Sequence, residues 1–301
     1  MWKTRRTICT LTDEYLIDRR VYFTNYAGST TTRPLRMAAA MKHFNSQFGM
    51  LPAEKFGPLM LEDFQRQCVD ANLARTTINA YVLEVKGFFR WCVLKEKIDI
   101  AIFQALTTVP QLKQGRTRAK EVPPVKPVSL RSIWRLHGHI ASHWYKLIWL
   151  HYYTAARPGE IISWKLNEIE QGEHVWTVHL DKHKNQWRGQ ERVIVMGPAS
   201  QALLEPLIDA LNPEDYIFSP NGGRTPYVVG SWRTAIYRAC DRAGVPRWQP
   251  NQIRHAAATM VREKFGLEAA QAYLGHANIQ TTQIYAERQQ ETAHKIAKEI
   301  G

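Results

Sequence analysis

The sequence of 301 residues predicts a mainly helical α+β protein. A helical N-terminal domain, a basic linker and a mixed C-terminal domain with one small antiparallel sheet are expected. Three observations predict this. Thr76–Lys97 carries one apolar stripe at helical spacing. EHVWTVHL alternates apolar and polar residues, then a polar turn leads into ERVIVMG. Between the halves lies LKQGRTRAKEVPPVKPVS, Leu112–Ser129, which is basic, rich in Pro and free of apolar periodicity. The expected boundaries are residues 1–111, 112–129 and 130–301.

Within the first domain, helices are expected around Leu35–Phe48 and Leu61–Asp70. The clearest helix is Thr76–Lys97. There Ile78, Tyr81, Val82, Val85, Phe88, Phe89 and Cys92 recur at three- and four-residue steps, so they share one face. Asn79, Glu84, Lys86 and Arg90 fall on the other side, and Thr76 is the expected N-cap. Arg75, Thr76, Thr77 and Asn79 stand at the helix start, where side-chain donors and backbone N–H groups can meet phosphates. Lys86 and Arg90 extend that polar side. A solvated face is the other reading of these six residues. The linker either crosses a nucleic-acid backbone or is an ordinary connector, because Pro disfavours helix in itself and before itself.

After the linker, Leu130–Ala156 reads as helices ending in LIWLHYYTAA. Period-two alternation of Trp176, Val178 and Leu180 marks a half-buried strand. Glu173–Gly197 is therefore expected to form a β-hairpin with DKHKNQWRGQ at its tip. Helices resume at Ala199–Leu211, Gly230–Ala243, Gln252–Lys264 and around Leu267–Leu274. The tail ERQQETAHKIAKEIG places Ala293, Ile296, Ala297 and Ile300 at helical spacing. A short helix of this kind needs a surface to pack on, its own domain or a neighbour's.

Lys and Arg total 40 against 27 Asp and Glu, a formal net charge of +13. Such an excess favours a polyanionic partner, and nucleic acid supplies most of its affinity through phosphate. The four Cys are scattered with no metal spacing, as expected of reduced thiols in the cytoplasm. No apolar run approaches the roughly 18 residues of a membrane span. No carboxylate cluster or phosphate-binding glycine loop is present in the sequence.

Four polar features of the second half remain. Arg157 closes an apolar helix before Pro-Gly. Lys184 stands at the hairpin tip, with Lys182 as the alternative. Arg254 opens another apolar helix in NQIRHAAATMV. His276 and Tyr285 lie in LGHANIQTTQIYAE. Each alone has an ordinary explanation: a dipole-facing Arg, a solvated Lys, a packed Tyr. Their order is more specific. TAARPGEIISW, KHKNQWRGQERVIVMG, PNQIRHAAATMV and LGHANIQTTQIYAE together resemble the tyrosine recombinases, or phage integrase family, from about Lys126 to the end. The helical first half is more loosely similar to the core-binding domain of that family.

The resemblance implies a chemistry that these residue types can perform and that needs neither metal nor cofactor, with which the missing carboxylate cluster and glycine loop agree. Tyr285 would attack a scissile phosphate and form a 3′-phosphotyrosyl link. Arg157 and Arg254 would clamp the non-bridging oxygens, Lys184 would protonate the leaving 5′-oxygen, and His276 would hydrogen-bond the phosphate. It also implies duplex DNA as partner, strand exchange through a Holliday junction, and a homotetramer on paired sites joined by docked C-terminal tails. One departure stands in the His-x-x-Arg motif, where Asn251 replaces His and has no proton to shuttle. His255 lies about 100° around the helix from Arg254 and is expected to face elsewhere. Two other readings on the same scaffold are a non-catalytic DNA-binding protein and a relaxing enzyme similar to type IB topoisomerases.

Overall fold

The computed structural model describes residues 6–24, 33–180 and 193–275. The chain divides into two compact units, Met1–Pro124 and Val125–Gly301.

The first unit is helical: α1 Ile8–Tyr22, α2 Arg33–Phe48, α3 Pro58–Asp70, α4 Arg75–Leu94 and α5 Ile100–Thr107. The expected apolar stripe of α4 is its core face. Ile78, Val82, Val85, Phe88, Phe89 and Cys92 are buried there. Phe44 of α2 sits among Phe56, Phe64, Phe88 and Phe89, with ring centroids 5.1–6.4 Å away. These edge-on contacts suit the quadrupoles of the rings.

Two expectations for α4 are corrected. The helix begins at Arg75 with Ala74 as N-cap, so Thr76 lies in the first turn and caps nothing. The backbone of Lys120 does the capping instead, accepting the Arg75 N–H at 2.9 Å. Glu84 is not on a solvated face but is 2% exposed. Arg33 and Arg36 of α2 approach its carboxylate at 3.1 and 3.3 Å. Burial and the charge of Glu84 push the Tyr15 hydroxyl up to about 12.

The first part of the expected linker is a strap on this unit. Asn79 holds Leu112 by both backbone groups: its Nδ2 donates to the Leu112 carbonyl at 3.0 Å, and its Oδ1 accepts the Leu112 N–H at 2.9 Å. Lys86 Nζ donates to the Val109 carbonyl at 2.7 Å, and Arg75 pairs with Glu121 at 2.6 Å. Beyond Pro124 the chain is held by the second unit. Gln252 Nε2 donates to the Lys126 carbonyl, and Val128 N–H to that of Gln252.

The second unit contains α6 Leu130–Trp134, α7 Ser142–Thr154, α8 Pro158–Ile161, strands β1 Ile169–Gln171, β2 Trp176–His179 and β3 Val193–Met196, then α9 Pro198–Ile208, α10 Val229–Ala243 and α11 Pro250–Leu274. The three strands form an antiparallel sheet in the order β1-β2-β3. Trp176 lies opposite Met196 and Val178 opposite Ile194, so all four side chains enter the core from one face. β1 extends the expected hairpin by a third strand. Gly266, at φ 86°, breaks α11 into two helical stretches, as the two successive helices of the sequence required. Leu147, Ile148, Trp164, Trp232, Ile236 and Ile253 form the buried centre. None of the helices among the described residues is long and apolar enough to cross a membrane.

Candidate active site

The site is built around the turn that follows α7. Helix α7 ends because Ala155 adopts the left-handed conformation at φ 48°, ψ 24°. That geometry costs a residue with a Cβ about 1–2 kcal/mol, so the surroundings must impose it. They do so through a complete set of backbone partners. The Ala155 N–H donates to the His151 carbonyl at 3.0 Å, and the Ala156 N–H reaches Thr154 Oγ1 at 3.5 Å. The Ala155 carbonyl accepts from Arg254, and the Ala156 carbonyl accepts from His151 Nε2 at 2.8 Å. The Arg157 carbonyl accepts the N–H groups of Glu160 and Ile161. No polar backbone group of residues 155–157 is left unpaired in this buried place.

Arg157 leaves the turn as N-cap of α8. Glu160 holds it twice. One carboxylate oxygen accepts the Arg157 N–H at 2.9 Å, and the other accepts Arg157 Nη1 at 2.5 Å. Glu160 is 7% exposed, while the Arg157 side chain keeps 27% of its surface open. A buried carboxylate thus fixes one edge of a guanidinium that has five donors in all. Glu160 was detectable in the sequence: R-P-G-E puts an acid three residues after an N-cap, with Pro at the first helical position.

Arg254 is 5% exposed on α11. Its Nη1 donates to the Ala155 carbonyl, and its Nη2 to the Leu274 carbonyl at 2.8 Å. Leu274 ends α11, capped by Gly275 in the left-handed conformation at φ 60°. One guanidinium therefore ties the turn that carries Arg157 to the chain that leads directly into His276. Tyr273 adds a parallel tie, donating its hydroxyl to the Tyr153 carbonyl.

Asn251 is exposed, one turn before Arg254, and its Nδ2 donates to His255 Nε2 at 3.0 Å. His255 thus shares the face of Asn251, although it stands about 100° from Arg254. Burial first, then the charge of Arg254, keep its imidazole below the ordinary value. His151, which the sequence reading passed over, is fully buried behind the turn. Burial pushes it down to about 3, reinforced by Arg254 and opposed by its bond to Ala156.

The structure thus brings Arg157 and Arg254 to one turn, with Asn251 on the same helix as Arg254. Lys184, with Lys182, and His276 and Tyr285 lie outside the described residues. Arg75, Thr76, Thr77, Asn79, Lys86 and Arg90 belong to the first unit. Among them Arg75, Asn79 and Lys86, expected to meet phosphates, commit donors to the strap, and burial lowers the Lys86 ammonium's affinity for its proton. Thr76 and Arg90 are exposed.

The model of the phage integrase family matches residues 135–292. Tyrosine recombinase XerD of Listeria monocytogenes serotype 4b is 27% identical over 145 residues, 44% of this chain and 46% of the relative. The matched part is thus under half of that relative's length. Tyrosine recombinase XerC of Corynebacterium efficiens is 30% identical over 231 residues, 73% of this chain and 69% of the relative. Among solved structures, the XerH site-specific recombinase on a palindromic difH substrate superposes with a TM-score of 0.74 at 15% identity, covering 98% of this chain and 97% of that one. The Tn1549 transposon integrase with a circular intermediate DNA also gives 0.74, at 16% identity, covering 98% and 100%. At such identities the superpositions speak for the fold alone. The family match over 135–292 and the XerC relative carry the assignment: this chain belongs to the phage integrase family, whose relatives here are tyrosine recombinases.

Proposed function

We propose that this protein is a site-specific DNA recombinase that cuts and rejoins duplex DNA through a phosphotyrosine. The observation that carries this reading is the double bond-holding of Arg254, which joins the Arg157 turn to the residue two positions before His276. Two guanidiniums on one scaffold, one braced by Glu160, are suited to the non-bridging oxygens of a single phosphate. They are always charged and planar, so they stabilise the extra charge of the transition state without rearranging. Loss of one such preorganised donor typically costs on the order of 10²–10³ in rate.

In the proposed reaction the Tyr285 oxygen attacks the phosphorus. A P–O bond forms to tyrosine and the P–O5′ bond breaks. Lys184 gives its proton to the leaving 5′-oxygen, and the tyrosine proton passes to water because Asn251 has no basic site. His276 donates to a phosphoryl oxygen, as does the Asn251 amide. The reverse attack by a 5′-hydroxyl from a partner strand completes exchange through a Holliday junction, and phosphodiester energy is conserved throughout. Duplex DNA is the partner, and Thr76, Thr77 and Arg90 are proposed backbone contacts, while Arg75, Asn79 and Lys86 hold the strap. A homotetramer on paired sites, with C-terminal tails docked between protomers, is the proposed assembly, acting on DNA in the cytoplasm. The XerH and Tn1549 proteins, both captured on DNA, support the choice of partner.

The test uses supercoiled plasmid carrying the DNA that flanks the coding region, in EDTA, stopped with SDS. Wild type should leave protein covalently attached to DNA, and Tyr285→Phe should not. Tight binding without adduct in wild type would favour the non-catalytic reading. Relaxation by a complex that stays monomeric on DNA would favour the topoisomerase-like one.

A further inference from the structure

We infer that His151 is a positioning residue for the two guanidiniums, holding the Ala156 carbonyl so that the Arg157 turn and Arg254 keep a fixed relation. This rests on the proposed roles of Arg157 and Arg254. His151 stands in the last turn of α7 at 0% exposure, among buried Leu147, Ile148 and Leu150. An apolar side chain would satisfy packing at that position without the cost of burying an imidazole. The ring has a definite task instead. A carbonyl only accepts, so Nε2 must carry the proton in its 2.8 Å bond to Ala156. Nδ1 is then the bare nitrogen, and it has no hydrogen-bond partner among the described residues. The Trp232 ring lies 5.2 Å from the imidazole at 58° and limits its rotation.

The arrangement couples two adjacent peptides. Arg254 holds the Ala155 carbonyl, and His151 holds the next one. If His151 lets go, the Ala156–Arg157 peptide can turn; it carries the Arg157 N–H and adjoins the peptide whose carbonyl Arg254 holds. Glu160 continues to hold Arg157 locally, so the damage is to the relation between the two cations, not to either one. The neutral form of His151 is the one that fits. A proton on Nδ1 would place a second cation beside Arg254 with no acceptor.

The test compares His151→Leu, which keeps the volume and removes the donor, with His151→Gln, whose Nε2 can reach the same carbonyl. Single-turnover cleavage of nicked duplex at saturating protein is measured alongside DNA affinity. Side-chain Nε–Hε signals in ¹H–¹⁵N spectra are recorded too, with Arg254 assigned through Arg254→Lys. The Leu variant should lose about tenfold or more in the saturated rate, as misplaced reacting groups do, with affinity within about twofold. Its Arg254 signal should shift or broaden. The Gln variant should recover to within about threefold of wild type and restore the signal. Wild-type cleavage by the Leu variant would overturn the inference, and so would equal losses in both variants with the Arg254 signal unmoved. If wild type itself does not cleave, the phosphate-clamp reading fails separately. The spectra then decide the positioning role alone, and an unmoved Arg254 signal in the Leu variant refutes it.

Discussion

Replacing Arg254 with Met keeps most of the side chain's length and removes all of its donors. Two carbonyls lose their partner, Ala155 and Leu274, both in residues with no exposed surface. A hydrogen bond from a charged donor is worth about 1.5–3 kcal/mol, so the gross loss is about 3–6 kcal/mol. Removing a buried guanidinium also relieves its desolvation, which offsets part of this. The expected net destabilisation of the second unit is about 2–4 kcal/mol, below the roughly 5–15 kcal/mol that holds a typical domain together. Arg254→Lys should fall about halfway, because one ammonium cannot serve two carbonyls in fork geometry. Urea unfolding followed by Trp fluorescence suits the measurement, since buried Trp164, Trp232 and Trp248 report the second unit. Asn251→Ala on the exposed side of the same helix is the control and should change stability by under about 0.5 kcal/mol. If Arg254→Met were as mild as that control, Arg254 would not be the brace described above.

Acid should weaken the fold through His151. Its folded pKa of about 3 lies below its ordinary value, so the unfolded chain binds the extra proton first. The stability is fully present above pH 6.5 and is lost progressively as pH falls from there toward 3. The difference between wild type and His151→Gln should therefore shrink by about 1.4 kcal/mol per pH unit below pH 6, and a flat difference would contradict the buried neutral ring. Ala155→Gly should stabilise by about 0.5–1 kcal/mol, since relief of the left-handed Cβ exceeds the added freedom of the unfolded chain; thermal unfolding checks this, and a lowered midpoint would contradict it. Asn79→Ala should free the strap at Leu112 at a cost of about 1–2 kcal/mol to the first unit. Limited trypsin digestion should then cut faster at Lys113, Arg116 and Arg118, and an unchanged cleavage rate would mean that the other strap contacts suffice.

Periodicity made the cores legible. The stripe from Ile78 to Cys92 and the alternation of Trp176 and Val178 each describe contacts made within one element, so a short window contains them. What escaped depended on distant partners. Glu84 looks like one more polar residue of α4 until Arg33 and Arg36 are brought beside it by the fold. Strand β1 has three residues and no alternation of its own, and only its register against β2 defines it. The strap from Val109 onward lacks a pattern because its order comes from Lys86, Asn79 and Arg75, not from its own side chains. At the site, the order of motifs pointed to Arg157 and Arg254 by resemblance. It could not reveal that Arg254 is also a structural tie, because its acceptors are main-chain carbonyls 99 and 20 positions away. Glu160 and His151 were missed for opposite reasons. The first had a readable capping signature that went unused; the second is a single His in an apolar helix, with nothing in the sequence to separate it from a packed ring.

The central claim is that Tyr285 makes a covalent bond to DNA. The most direct measurement traps protein on a nicked duplex whose cleaved 5′ fragment diffuses away, then digests both components and identifies the modified peptide by mass spectrometry. The account predicts a nucleotide 3′-phosphate on the peptide containing Tyr285, and a 5′-hydroxyl on the released strand. A nucleotide on any other residue, or a link to the 5′-phosphate, would contradict it.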